Sequence, residues 1–154
     1  MGRCLNTMPL TTDSDIARVL NQTRAIALLG ASAKVERPSY RVMGFLLNHG
    51  YDVYPVNPGL AGQDLQGRRV FARLADIPVA IDMVDVFRRP SYLPDIVAQA
   101  IAVGSAVLWT QLDVVHPAAI AAAEAAGMSV VADRCPAIEY PRLQQMGLLN
   151  TRAG

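Results

Sequence analysis

Residues 25–29 read Ala-Ile-Ala-Leu-Leu, an unbroken apolar run that stops at Gly30. A strand with one face in water alternates apolar and polar residues. An unbroken run has no solvent face, so it belongs to an inner strand of a parallel sheet with helices on both sides. The rest of the chain supplies those partners. Asp13 to Asn21 reads as a short entry helix capped by Thr12 or Asp13, and Ser39 to His49 as a helix with Ser39 as cap and Gly50 as stop. Asp52 to Val56 is a second strand, closed by Asn57-Pro58-Gly59, and Leu60 to Pro78 is irregular with a short helical piece near Leu74. Ile81 to Phe87 is the third strand, Pro90 to Val103 a helix with Pro94 in its first turn, and Ala106 to Trp109 the fourth strand. Pro117 to Ala126 is an alanine-rich helix, Ser129 to Ala132 the fifth strand, and Cys135 to Leu149 a partly helical tail.

Strands alternating with helices predict parallel pairing through crossover connections. The expected fold is therefore α/β, a doubly wound parallel sheet of about five strands in the order 3-2-1-4-5, Rossmann-like. Its 154 residues, 52% hydrophobic, suffice for one core. Residues 1–22 are expected to form a helical lead-in and residues 23–154 the domain proper, with its tail.

In such sheets ligands bind outside the carboxyl ends of the strands, where the strand order switches. The residues after each strand are therefore the site candidates: Gly30-Ala31-Ser32, Asn57-Pro58, Phe87-Arg88, Thr110-Gln111 and Asp133-Arg134-Cys135. Gly30 permits a tight turn and close approach of the backbone to a ligand. The helix after it offers free N–H groups to a phosphate, Ser32 adds a hydroxyl, and Lys34 and Arg37 add charge. The bland alternative is that Gly30 merely ends a strand. A nicotinamide dinucleotide fits less well. Its fingerprint needs two further glycines, where this chain has Ser32 and Val35, and an acid after the second strand, where it has Asn57.

A net charge of +1 gives no global field toward nucleic acid or an anionic membrane, so neither is an expected partner. The longest mostly apolar stretch, Ile96 to Trp109, is interrupted by Gln99 and Gly104-Ser105 and is too short to span a bilayer. Met1 to Leu10 lacks the apolar segment of a signal peptide, and Asn6 breaks the myristoylation pattern that Gly2 begins. Cys4 and Cys135 are too few for a disulfide framework, so the expected location is cytoplasmic.

Single residues divide between chemistry and packing. His49 ends a helix, where the dipole favours it, and His116 precedes Pro117 as a cap; two histidines without companions give no metal site. Cys135 either faces the cleft, where it could meet a ligand thiol, or is a small buried residue. Asp82 and Asp85 are three apart on a strand, point to opposite faces, and are poor acid–base partners. Arg68-Arg69 reads as a solvated loop and Arg88 as an anion ligand; Trp109 reads as core, and Tyr40 and Phe87 either pack or touch a base.

Six segments taken together resemble the small CoA-binding protein family, related to the N-terminal domain of the succinyl-CoA synthetase alpha subunit. They are residues 26–32 (IALLGAS), 37–43 (RPSYRVM), 50–58 (GYDVYPVNP), 81–88 (IDMVDVFR), 108–112 (LWTQL) and 131–139 (VADRCPAIE). Asp113 departs from the pattern, since relatives commonly have glycine there. The resemblance implies binding of coenzyme A or an acyl-CoA at the strand ends. Gly30, Ala31 and Ser32 would face the pyrophosphate, with Lys34, Arg37, Pro38, Ser39 and Tyr40 along the phosphate loop and helix start. Asn57 and Pro58 would lie near the adenosine, Val86, Phe87 and Arg88 on the other flank, and Gln111 and Cys135 after the later strands. It implies binding rather than the ligase reaction, whose phosphorylated histidine works from a further domain. No catalytic group is expected, and a homo-oligomer or partner enzyme stays open. The competing expectations are an NAD(P)-binding oxidoreductase-type domain, an interaction module with a vestigial nucleotide pocket, and a thiol-dependent redox protein centred on Cys135.

Overall fold

The structure, a computed structural model, describes residues 8–150. Gly2, Cys4 and Asn6 lie outside the described residues. The described residues hold seven strands. They are β1 (Ala25–Leu29), β2 (Asp52–Val56), β3 (Asp64–Leu65), β4 (Arg68–Arg69), β5 (Met83–Val86), β6 (Val107–Thr110) and β7 (Ser129–Val131). The helices are α1 (Asp13–Gln22), α2 (Pro38–Asn48), α3 (Leu93–Ala102), α4 (Pro117–Ala125) and α5 (Pro136–Gln145).

The main sheet has five parallel strands in the order β2-β1-β5-β6-β7. This is the expected α/β, Rossmann-like class. The 3-2-1-4-5 pattern is met when the isolated parallel bridge between Val56 and Phe71, outside β2, is counted as the third element. The strand that the sequence reading numbered third, now β5, is corrected: it lies on the inner side of β1. The reason is the connection from β2. It leaves the sheet edge at Phe71, packs Leu74 of a 3-10 turn (Leu74–Asp76) into the core on the α3–α4 face, and returns beside β1.

β1 is buried at all five positions. Ile26 and Leu28 face α1, α2 and α5, in a core with Met43, Met83, Trp109 and Leu143. Ala25, Ala27 and Leu29 face α3 and α4, in a core with Leu74, Val84, Ile96 and Ile120. Two faces of one strand thus carry two cores, which is why the run could not alternate.

Two local expectations change, and one about the tail holds. Ser39 does not cap α2; the cap position is Arg37 and Pro38 opens the helix, because its locked φ suits the first helical position. Arg68-Arg69 is not a solvated loop but one strand of a two-residue hairpin, with Gln66 at φ +50° and Gly67 at φ +84° in its turn. Arg68 Nε donates to the Val53 carbonyl at 2.8 Å, and its guanidinium lies over the Tyr54 ring. The tail from Cys135 to Leu149 is partly helical, as expected: α5 ends at Gln145 and is tied to α1 by Arg142, which donates to Asp13 and Glu139.

Asp85 is the exception in the first core. It pairs in register with Leu28 and Trp109, is fully buried, and neither carboxyl oxygen has a hydrogen-bond partner. Burial pushes its carboxyl well above the usual carboxylate range. An unfolded chain releases this proton near pH 3.9, while the folded protein keeps it. Stability therefore falls as pH rises, by about 1.4 kcal/mol per unit from this group, until the folded carboxyl also ionises. Urea unfolding between pH 5 and 8 should show a flatter pH dependence for Asp85→Asn than for the unaltered protein. Parallel slopes would refute the assignment.

Candidate functional site

The connections after β1 and β5 leave the sheet on opposite faces, toward α2 and α3. The crevice between them is the switch point of the sheet. Gly30 stands at its base with φ +91°. Its N–H and that of Ala31 both donate to the Val56 carbonyl, at 3.1 and 3.3 Å. A Cβ on Gly30 would lie 2.5 Å from the Phe87 carbonyl oxygen, so the turn rests directly on the 87–88 backbone.

Side chains hold the neighbouring loops. Asn57 Nδ2 donates to the Ala31 carbonyl at 2.7 Å, and Asn57 Oδ1 accepts from the Gly59 N–H at 2.8 Å. Ser32 Oγ accepts from the Lys34 N–H. Gln66, in the hairpin turn, donates to the Tyr40 carbonyl and so clamps the first turn of α2. The α2 cap makes no side-chain hydrogen bond, and the Ser39 N–H has no acceptor among the described residues.

The crevice opens into three lobes that share Gly30 and Arg88. A basic lobe of about 540 Å³ is lined by Lys34, Arg37, Arg88 and Arg89, with Ser32 and Asn57. Among the described residues none of these four cations forms an ion pair; the pairs there use Arg18, Arg73, Arg134 and Arg142. In a chain of net charge +1 this is a local concentration of positive charge. A second lobe of about 400 Å³ lies between the start of α2 and the loop after β6, with Phe87, Gln111, Leu112 and Val114 in its wall. A third, of about 290 Å³, lies against α3, where Tyr92 carries the Arg88 guanidinium 4.3 Å above its ring.

Residues 24–141 match the model of a family described as the CoA binding domain. The chain belongs to the CoA-binding domain family. It is 30% identical over 122 residues to an uncharacterised protein of Bacillus subtilis, covering 79% of this chain and 89% of that one. It is 29% identical over 80 residues to the alpha subunit of the ADP-forming acetate–CoA ligase I of Pyrococcus furiosus; that stretch is 49% of this chain but 17% of the subunit. A solved hypothetical protein of Pyrococcus horikoshii superimposes with a TM-score of 0.84 at 41% identity, over 92% of this chain and 99% of the other.

Within this CoA-binding domain most of the residues singled out from the sequence converge. Gly30, Ala31, Ser32, Lys34, Arg37 and Asn57 line the basic lobe, together with Phe87 and Arg88. Pro38, Ser39 and Gln111 line the second lobe, and Pro58 the third. Six do not line the three lobes: Tyr40, Val86, Thr110, Asp133, Arg134 and Cys135. Val86 is fully buried in the second core, Tyr40 packs on the edge of the first, and Cys135 is buried as the cap of α5. The reading missed Arg89 and Tyr92. The basic pair Arg88-Arg89 was visible, and an aromatic four residues after Arg88 was the available signal for Tyr92. It placed Asn57 near the adenosine and noted its lack of charge, but did not foresee that its amide braces the turn. Asp113 sits at φ +68°, a left-handed conformation that explains why glycine suits the position.

Gly30→Ala meets both a positive φ and a filled space, whereas Gly62→Ala meets a positive φ (+85°) with nothing within 4 Å. The first should cost roughly 1–3 kcal/mol more than the second in urea unfolding. Equal losses would show that the Phe87 carbonyl does not close the turn.

Proposed function

We propose that this chain binds coenzyme A or an acyl-CoA in the crevice and carries out no reaction of its own. The observation that carries the reading is the set of four unpaired cations, Lys34, Arg37, Arg88 and Arg89, around a glycine turn at the switch point. Coenzyme A brings several phosphates on one nucleotide, and such a cluster binds them through charge-assisted hydrogen bonds. The free Ser39 N–H at the start of α2 adds a donor. A nicotinamide dinucleotide is the poorer match, because Asn57 stands where a ribose acceptor would and its amide is already engaged.

Binding without chemistry is supported by what the candidate reactive groups are doing. His49 stacks on Phe45 with its Nδ1 at 2.8 Å from the Phe45 carbonyl, and His116 Nδ1 accepts from the Ala119 N–H as a helix cap. Cys135 is buried, so its thiol has no open path to the crevice walls. Among the described residues no group of three or more His, Cys, Asp or Glu could hold a metal ion, and no helix is long and apolar enough to cross a membrane.

Thermal unfolding with CoA, acetyl-CoA, NAD, NADP and ADP tests this. A ligand at one hundred times its dissociation constant adds about 2.7 kcal/mol, a rise of roughly 2–4 °C per kcal/mol at this size. CoA should raise the midpoint and NAD should not; a rise with NAD alone overturns the reading. Lys34→Ala with Arg89→Ala should weaken CoA binding at least tenfold while leaving the unliganded midpoint within about a degree, since exposed charges add little to stability. An unchanged CoA affinity would remove the phosphates from this lobe.

A further inference from the structure

Two residues break local rules at one contact. Gly44 stands in the middle of α2, where glycine loses more backbone entropy than alanine would. Gln66 stands at φ +50° in the turn between β3 and β4, a left-handed conformation that glycine and asparagine adopt more readily. The two residues meet. A Cβ on Gly44 would lie 2.9 Å from Gln66 Oε1, so the missing side chain leaves the space that the Gln66 amide fills. From that space Gln66 Nε2 donates to the Tyr40 carbonyl at 3.0 Å. Neither residue is what a helix or a turn would select alone, and their contact accounts for both.

The base of the hairpin is fixed. Leu65 and Val70 are buried in the first core, and Arg68 Nε is bonded to the Val53 carbonyl of β2 at 2.8 Å. The end of α2 that the amide reaches is held by less. Its cap makes no side-chain hydrogen bond, and Pro38 brings no N–H. Among the described residues, Gln66 is the one side chain from another element that hydrogen-bonds residues 37–41. Arg37 and Ser39, in that same turn, line the crevice. A first turn free to shift would have to be ordered by the ligand, and the ordering would be lost from the affinity.

We infer that Gln66 is a positioning residue for the ligand's phosphates. It fixes the first turn of α2, and with it Arg37 and the Ser39 N–H, from a hairpin that lines none of the three lobes. This rests on the CoA reading, which puts phosphates at the start of α2.

The test uses two changes that favour the local fold and break the contact. Gln66→Asn suits the left-handed position before Gly67 and is one methylene too short to reach Tyr40. Gly44→Ala puts a better helix former in α2 and displaces the amide, which is the far end of a flexible side chain. Each variant should keep or raise the urea midpoint of the unliganded protein, yet weaken CoA about fivefold in calorimetry. Because both changes break one contact, the double variant should bind CoA within about twofold of either single one. Full CoA affinity in either single variant overturns the inference, and so do losses that multiply in the double variant. A weaker affinity that comes with a lowered midpoint makes the contact merely structural and overturns it too. If the unaltered chain binds no CoA, the CoA reading itself falls, and the inference with it.

Discussion

β1 carries hydrogen bonds to β2 on one side and β5 on the other, and everything in the crevice hangs from that three-strand unit. Because the strand is buried on both faces, its position is set by two apolar cores at once. A one-residue slip would drive Ile26 and Leu28 into the α3–α4 core and Ala27 and Leu29 into the other. That determinacy carries through to its last residue. Leu29 accepts from the Phe87 N–H at 2.8 Å, Gly30 donates to Val56, and the missing side chain of Gly30 lets the turn lie on the Phe87 carbonyl. The ends of three strands are thereby brought to one point, and the ligand loops start there.

The part of this that was legible in the sequence is the part written in periodicity. The run at 25–29 announced an inner strand, and many of the residues that line the crevice follow β1 and its neighbours β2 and β5. The side of β1 on which the 83–86 strand falls was not legible. It depends on a crossover without an α-helix, and the residues of that crossover show no period. The hairpin at 64–69 hid for a related reason: strands of two residues are too short to alternate, and only Gln66-Gly67 signalled the turn. Asp85 was read correctly as no partner for Asp82, which accepts instead from the Arg24 and Ala25 N–H groups. That it would stand unpaired in the core could not be read, because burial is a property of the assembled sheet.

Charge in the molecule is divided by role. The ion pairs that join α1, α5 and the Arg134 loop are made on the side of the sheet away from α3, and Arg18 and Asp15 pair within α1. The exposed pairs, Arg18–Asp15 and Arg142–Asp13, are worth little, whereas Glu139 is buried between Arg134 and Arg142. Among the described residues, Lys34, Arg37, Arg88 and Arg89 at the crevice form no ion pair, and neither do Arg24, Arg41, Arg68 and Arg69 elsewhere. An arginine already held by a carboxylate would have to break that pair to meet a phosphate, whereas Arg37 and Arg89 have no pair to break. Arg88 is half-buried and held over Tyr92, so its guanidinium is oriented without being neutralised.

The crevice loops are built before any ligand arrives. Asn57 ties the glycine turn to the loop after β2, Ser32 closes its own turn on the Lys34 N–H, and Gln66 holds the first turn of α2. Binding loses affinity when loops and side chains must first be ordered, at about 0.5–1.5 kcal/mol for each rotamer-rich side chain. Here the backbone cost has been met in folding, and what remains is to order Lys34, Arg37 and Arg89, whose side chains are long and exposed. This arrangement separates two properties of the site. In the proposed CoA complex the frame, made by hydrogen bonds to carbonyls and by glycine geometry, would decide where the nucleotide lies; the long exposed cations would decide how strongly its charge is held, and that second term alone would be screened by salt.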